Sequence, residues 1–312
     1  MPLDPRLAAW LDQLPAAGSP ASLAELRAAT DASLRALHGP LETVARTETY
    51  AVPARDGQSI RVRAYWPAAI GNSASPLPAI VYAHGGGWCL GTLALYDNPC
   101  HALANATQCV VLSVDYRLAP EHPFPVPLED VCDALAWVFA HAGGLGIDPA
   151  RIAVGGDSAG GNLAAAACLV AHDEGGPPIA HQLLLYPPLD ASMDTASYRT
   201  YGQGHYLTSD VMRYCFDTYL ADPADGRSPY VSPLRAATHA GLPPATLLIC
   251  EYDPLRDEAE AYAEKLRQSG VPVQVEWLPG MLHACIHMCG LTPGARRLFD
   301  VAGARIAQLF RR

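Results

Sequence analysis

Lysine is almost missing from this sequence: Lys265 is the only one in 312 residues. Acidic side chains outnumber basic ones 31 to 21, the formal net charge is −10, and no basic run occurs. Phosphate-bearing partners are recognised by clustered cations, so nucleic acid is not an expected partner. Long hydrophobic runs are also lacking. The longest helix-like one, residues 163–171, falls far short of the ~20 residues that span a bilayer. The opening Met1-Pro2-Leu3-Asp4-Pro5-Arg6 has no basic-then-apolar export pattern. The expectation is therefore a soluble, cytoplasmic protein with no membrane partner. Nine cysteines are present, but their number is odd and their spacing scattered. They read as reduced, small hydrophobes rather than a disulfide framework. There is no internal repeat and no low-complexity linker.

What is abundant is apolar surface, at 50% of residues, enough for a large core. From Pro78 onward, short β-branched runs alternate with helical periodicity. Strands are expected at 79–83, 109–114, 152–154, 181–186, 246–250 and 271–277. Helices are expected at 98–107, 128–140, 163–172, 257–268 and 295–310. Such alternation builds a mostly parallel sheet with helices on both faces. Upstream, residues 43–50 and 59–66 read as an antiparallel hairpin turned at Asp56-Gly57.

Two stretches break the pattern. Residues 1–40 carry a helical leucine face (Leu7, Leu11, Leu14, then Leu23, Leu26, Leu34 and Leu37) interrupted at Gly18-Ser19-Pro20. Residues 190–235 contain one helical segment, 209–220, and no strand. We expect both to cap the carboxyl edge of the sheet. The divisions are a 1–40 cap segment, core at 41–189, a cap insertion at 190–235, and core again at 236–312.

The chemistry is concentrated in Gly156-Asp157-Ser158-Ala159-Gly160, between a strand and a helix. In a G-x-S-x-G turn the serine is pushed above the sheet edge, and only glycine two residues either side lets strand and helix come that close. The helix behind it presents a positive dipole end where negative charge develops in acyl transfer. A second glycine loop, His84-Gly85-Gly86-Gly87-Trp88, directly follows the 79–83 strand. Acyl transfer requires N–H groups aimed at an oxyanion, and glycines let a backbone supply them. The donors expected are Gly85, Gly86 and Ala159. No G-K-[ST] follows the loop, which argues against phosphate binding.

On a sheet of this kind the order of groups is serine, then acid, then histidine. That order excludes His84 as a base and leaves His283 and His287 of the eleven histidines. His283 follows the 271–277 strand across a loop and is the expected base; His287 is expected to be idle. Asp253, at the end of the preceding strand, is the expected acid. Asp257 is its rival, more suited to capping the next helix; Glu251 has no assigned role, and neither does Asp157. His283-x-Cys285-x-His287-x-Cys289 offers four soft ligands but converges in neither a strand nor a helix, so no metal is expected. Trp88, Tyr206 and Tyr214 are the candidate substrate contacts, with Tyr201, His205 and Phe216 as further aromatic candidates. The strand at 271–277 is expected to be outermost, an edge open to pairing in a homodimer.

With these residues in hand, the chain resembles the hormone-sensitive-lipase family (family IV) of carboxylesterases, of α/β-hydrolase fold. The resemblance is carried by His84–Trp88, by Asp115-Tyr116-Arg117-Leu118-Ala119-Pro120-Glu121-His122-Pro123-Phe124-Pro125, by Gly156–Gly161, by Asp253–Asp257, and by His283 after Pro279-Gly280-Met281. It implies a triad of Ser158, Asp253 and His283 and an oxyanion hole at Gly85, Gly86 and Ala159. It also implies hydrolysis of short-to-medium-chain acyl esters, small-molecule substrates, without a cofactor. An ion pair between Arg117 and Glu121 beneath the site is a further implication. One position departs from the family: an aromatic residue usual two places after the histidine is replaced by Cys285. Amide or formamide hydrolysis is the alternative activity. A non-catalytic ligand receptor on the same fold is a third reading, disfavoured because such proteins lose a triad member.

Overall fold

Consecutive residues of a strand face opposite ways, and here that alternation divides the core in two. Ala79, Val81 and Ala83 pack into one apolar cluster, while Ile80 and Tyr82 between them pack into the other. All five are fully buried, as a parallel strand covered on both faces requires. The computed structural model describes residues 1–14, 22–69 and 75–310. The expected break at Gly18-Ser19-Pro20 lies outside the described residues.

In chain order the elements are α1 (Pro5–Leu11), α2 (Leu23–Arg35), β1 (Arg46–Pro53), β2 (Ser59–Trp66), β3 (Leu77–Ala83), α3 (Leu93–Thr107), β4 (Val110–Asp115), α4 (Val126–Leu145) and β5 (Ile147–Asp157). They continue with α5 (Ala159–Asp173), β6 (His181–Leu185), α6 (Ala196–Tyr201), α7 (Ser209–Tyr219), β7 (Ala245–Tyr252), α8 (Arg256–Gln268), β8 (Val273–Leu282) and α9 (Arg296–Phe310). The strands form one sheet in the order β1-β2-β4-β3-β5-β6-β7-β8. β1 and β2 pair antiparallel through a hairpin, β2 runs antiparallel to β4, and the remaining neighbours are parallel. α4, α5 and α8 contribute to one cluster and α3 and α9 to the other. β8 is an outer strand, as its position after the last crossover predicts.

Several boundaries differ from expectation for local reasons. α3 starts at Leu93 rather than 98, because Thr92 caps it by accepting the Leu95 N–H at 3.1 Å. Pro99 lies inside the helix and obscures that start. α5 begins at Ala159, immediately after the serine, rather than at 163. β8 runs from Val273 to Leu282, later than expected. Residues 190–235 hold α6 and α7 and no strand. Among the described residues no helix is long and apolar enough to cross a membrane.

Candidate active site

The strand–helix turn at the end of β5 is tight. A Cβ on Gly156 would lie 2.4 Å from the Gly160 carbonyl carbon, and one on Gly160 would lie 2.0 Å from the Ala83 carbonyl oxygen. Both positions therefore require glycine. Between them Ser158 adopts φ +52° and ψ −126°, a left-handed backbone that an L-residue holds only at a cost of about 1–3 kcal/mol. The surroundings over-determine it: the Ser158 N–H donates to Leu185 O at 2.8 Å, and the Ser158 carbonyl accepts from Asn162 N at 3.0 Å.

Ser158 is almost buried, and its Oγ lies 2.9 Å from His283 Nε2. The opposite ring nitrogen, Nδ1, lies 2.7 Å from Asp253 Oδ2. Asp253 is fully buried, and its second oxygen accepts the Leu255 N–H at 2.9 Å. Tyr186 packs edge-on against the His283 ring at 4.9 Å. Three side chains from the ends of β5, β7 and β8 thus form one hydrogen-bonded row across the carboxyl edge of the sheet.

Asp257 and Glu251 take other partners. Asp257 does not cap α8; its Oδ2 accepts the Ser197 N–H in the first turn of α6 at 2.8 Å. Glu251 accepts the Gly280 N–H at 2.8 Å, bracing β8 before it delivers His283. The four soft ligands at 283–289 diverge. His287 Nδ1 meets His38 Nε2 at 2.9 Å, Cys285 Sγ meets Cys250 Sγ at 3.6 Å, and Cys289 lies against Gly39.

The glycine loop corrects one expected donor. The Gly85 N–H points down into the protein, donating to Asp157 Oδ1 at 2.9 Å and lying 2.9 Å from the Tyr96 hydroxyl. It is not free for an oxyanion. The residue type was right for a donor loop, but the first amide is the loop's anchor. Gly86 and Gly87 follow at φ +124° and +58°, and both line the cavity. Among the described residues the N–H groups of Gly86, Gly87 and Ala159 donate to no backbone or side-chain acceptor. Gly87, absent from the expected set, thus has the free amide that Gly85 lacks.

Asp157 is fully buried beneath this loop. Besides Gly85 it accepts the Tyr82 hydroxyl at 2.8 Å and the Tyr96 hydroxyl at 3.0 Å. Burial pushes its carboxyl up from the usual range, opposed by those hydrogen bonds. His84 stacks on Tyr116 at 4.3 Å with Nδ1 2.8 Å from Gly85 O, and burial lowers its pKa. The Tyr116 hydroxyl donates to His84 O at 2.8 Å.

The row of side chains opens into a cavity of about 710 Å³. Its walls come from α2 (Leu23, Leu26, Leu34), from α7 and the residues before it (Tyr206, Leu207, Met212, Cys215), and from the glycine loop. Tyr214 stands at the mouth, 46% exposed, and Tyr206 lines the wall with its ring 5.2 Å from Trp10. Trp88 borders the cavity but its indole is fully buried, stacked on Tyr219 at 4.5 Å. The indole therefore packs behind the loop and presents little surface to the cavity. Phe216 packs behind it at 4.9 Å, and Tyr201 and His205 surround Tyr252 away from the cavity. His287, expected to be idle, lines the cavity.

The implied Arg117–Glu121 pair is also corrected. Arg117 forks onto buried Asp130, with Nη2 at 2.6 Å from Oδ1, and reaches Asp56 at 2.5 Å. Glu121 is held instead by Arg27 of α2 through two bonds of 2.7 Å. Arg117 sits on the far side of its loop, next to α4, where Asp130 is the nearer carboxylate.

Comparison with known proteins supplies the context for this geometry. A family profile described as alpha/beta hydrolase fold matches residues 80–287. The chain is similar to carboxylesterase NlhH of Mycobacterium tuberculosis, at 39% identity over 99% of this chain and 96% of the relative. It is similar to an ethyl acetate hydrolase of Pseudomonas putida, at 36% identity over 92% and 93%. Among solved structures, an ester-hydrolase from the metagenome of Lake Arreo, complexed with a bipyridine phosphonate derivative, superposes with a TM-score of 0.94. It is 36% identical and covers 99% of this chain and 100% of its own.

Proposed function

We propose, from the premise that the chain belongs to the alpha/beta hydrolase fold family and is a carboxylic ester hydrolase, that it cleaves short-to-medium-chain acyl esters by a serine mechanism. Ser158 is the nucleophile, His283 the base and then the acid, and Asp253 the group that orients the imidazole. The observation that carries this reading is the unbroken row Ser158 Oγ–His283 Nε2, 2.9 Å, and His283 Nδ1–Asp253 Oδ2, 2.7 Å, at the floor of an apolar cavity.

In this mechanism His283 accepts the proton of Ser158 Oγ as the oxygen attacks the ester carbonyl. The developing oxyanion is held by the N–H groups of Gly86, Gly87 and Ala159, the last at the N-terminus of α5, whose dipole favours negative charge. The imidazolium passes its proton to the leaving alcohol. Water repeats the sequence on the acyl-enzyme and releases the acid. Asp253 stabilises the imidazolium and fixes its tautomer. The segments 1–40 and 190–235 act as the cap: α2 and α7 line the cavity and exclude water from the acyl group.

Ser158→Ala is expected to lower kcat by roughly 10⁴-fold or more with the thermal midpoint almost unchanged. His283→Ala should inactivate comparably, while His287→Ala should keep most turnover. An esterase assay on p-nitrophenyl acyl esters from acetate to decanoate, with a matched anilide series, reads all three variants and the acyl preference. Retained turnover in Ser158→Ala would sink the assignment. Faster cleavage of the anilides would move the activity to amides.

A further inference from the structure

A donor loop works only if it is held still, so the question is what holds residues 85–89. The inner end is anchored by Gly85 N–H on Asp157. The outer end has a carbonyl, Cys89 O, that accepts no backbone hydrogen bond among the described residues. It accepts instead from Arg27 Nε at 2.8 Å. The same guanidinium reaches Ala119 O at 3.0 Å and grips Glu121 at 2.7 Å through both outer nitrogens. Ala119 N–H in turn donates to Trp88 O at 2.9 Å. One side chain from α2 therefore joins three segments of chain: the helix, the glycine loop and the 115–125 loop.

We propose that Arg27 is a positioning residue for the oxyanion site, so that α2 is a working part of the donor loop rather than only a wall of the cavity. This rests on the reading of Gly86 and Gly87 as oxyanion donors. Those two amides lie between the Asp157 anchor and the Arg27 anchor, two and three residues from Cys89. Both glycines hold positive φ, where their backbones have wide freedom when unrestrained. Two anchors remove that freedom before substrate arrives, which is the condition for strong oxyanion stabilisation. The geometry needs arginine. Nε and Nη2 point to one side and take two carbonyls, while Nη1 and Nη2 form a fork matched to a carboxylate. A lysine has a single point from which to donate. The pair with Glu121 is partly exposed on both sides, and exposed ion pairs stabilise folds little. Glu121 is better understood as the stop that orients the guanidinium onto the carbonyls. A second contact, Thr92 Oγ1 to Asp31 Oδ2 at 2.8 Å, holds α2 against the start of α3, so removing Arg27 loosens the loop without releasing the helix.

The test compares wild type with Arg27→Met, Arg27→Lys and Glu121→Gln. Each is titrated with a phosphonate so that rates refer to competent serine, and each is assayed on p-nitrophenyl butyrate. Affinity for a trifluoromethyl ketone, which forms an oxyanion on the serine, is measured beside that for the corresponding methyl carbinol, which forms none. For Arg27→Met we expect kcat to fall about tenfold, less than the 10²–10³-fold of deleting a donor because the Asp157 anchor remains. KM and carbinol affinity should stay within threefold, and ketone affinity should fall in step with kcat. Arg27→Lys should recover part of the loss, and Glu121→Gln should show a smaller loss of the same pattern. A rise in KM at constant kcat would make α2 a binding wall only and overturn the proposal. So would a lowered thermal midpoint with kcat per titrated serine unchanged. These outcomes are separable from failure of the serine mechanism, which is decided by Ser158→Ala.

Discussion

Asp157 illustrates how one buried carboxylate sets the directions of groups it never joins in chemistry. It collects two tyrosine hydroxyls and the Gly85 N–H, and that last bond commits the first amide of the loop while the next two have no acceptor among the described residues. Asp157→Asn keeps the shape but replaces one acceptor oxygen by a donor that must face a hydroxyl or the Gly85 amide. Hydrogen bonds to charged groups contribute about 1.5–3 kcal/mol each, so kcat should fall roughly 10–100-fold. KM should change little, because the cavity walls are untouched. A steady-state comparison decides it, and a variant that raised KM alone would contradict the account. The contrast with Gly85 shows what a sequence can carry at this scale. The positions of Ser158, Asp253 and His283 follow from chain order, since they stand in that order at the ends of β5, β7 and β8. The direction of a single amide does not. His84–Trp88 reads as a donor loop whichever amide faces inward, and that choice is made by contacts from Asp157 and Arg27, distant in sequence. Arg27 itself carries no local signal, being one of two arginines on an amphipathic helix.

At the scale of elements, the turn from β7 into α8 does two jobs. Asp253 faces His283, and the next residues grip the insertion between β6 and β7. Arg256 lies over the Tyr201 ring at 5.0 Å, Asp257 holds Ser197 N–H, and Glu258 Oε2 accepts the Leu189 and Asp190 N–H groups at 2.6 and 3.2 Å. Glu258 is fully buried, and burial, with Asp190 and Asp253 nearby, pushes its carboxyl up to about 8 against the two backbone bonds that lower it. A native pKa above the unfolded value means that the folded state keeps a proton the unfolded state has released. The stability this group contributes is complete below about pH 4.5 and is lost as pH rises through about 8. Glu258→Gln stays neutral and can still accept both N–H groups. The variant should therefore gain on wild type with rising pH, its melting temperature moving up by about 3 °C or more relative to wild type between pH 5 and pH 9. A difference that stays constant across that range would show that Glu258 does not titrate there. The alternation of strands and helices was readable from periodicity, and so was the strandless insertion. The grip of 256–258 on it was not, because Asp257 next to helix formers looks like a local cap. Only the packing of α6 against α8 reveals the long-range partner.

For the whole molecule, the shortage of lysine and the surplus of carboxylates return as a property of the substrate path. The cavity is walled by two segments far apart in sequence, α2 and α7, so its character could not be read from either alone. Among its described lining residues none is Lys or Arg; Asp210 lies on α7 at the rim, exposed. The net charge of −10 makes the long-range field of the molecule negative. An ester carrying a carboxylate at the end of its acyl chain would meet that field at the mouth. Inside the cavity it would lose hydration with no cation to replace it. A neutral ester of equal length loses only apolar surface to water, which is favourable by about 0.8 kcal/mol per methylene. We therefore expect kcat/KM for the p-nitrophenyl ester of butyric acid to exceed that for the hemisuccinate ester by at least tenfold, on the order of 1.4 kcal/mol. Two changes separate the causes. Raising ionic strength to about 0.5 M shortens the screening length to a few ångströms and should narrow the ratio by removing the long-range part. Asp210→Asn should narrow it at low salt by removing the charge at the rim. The share that survives both reports desolvation in the apolar cavity. Equal rates for the two esters at low salt would show that the acyl chain does not enter between α2 and α7, and would move the acyl site elsewhere around Ser158.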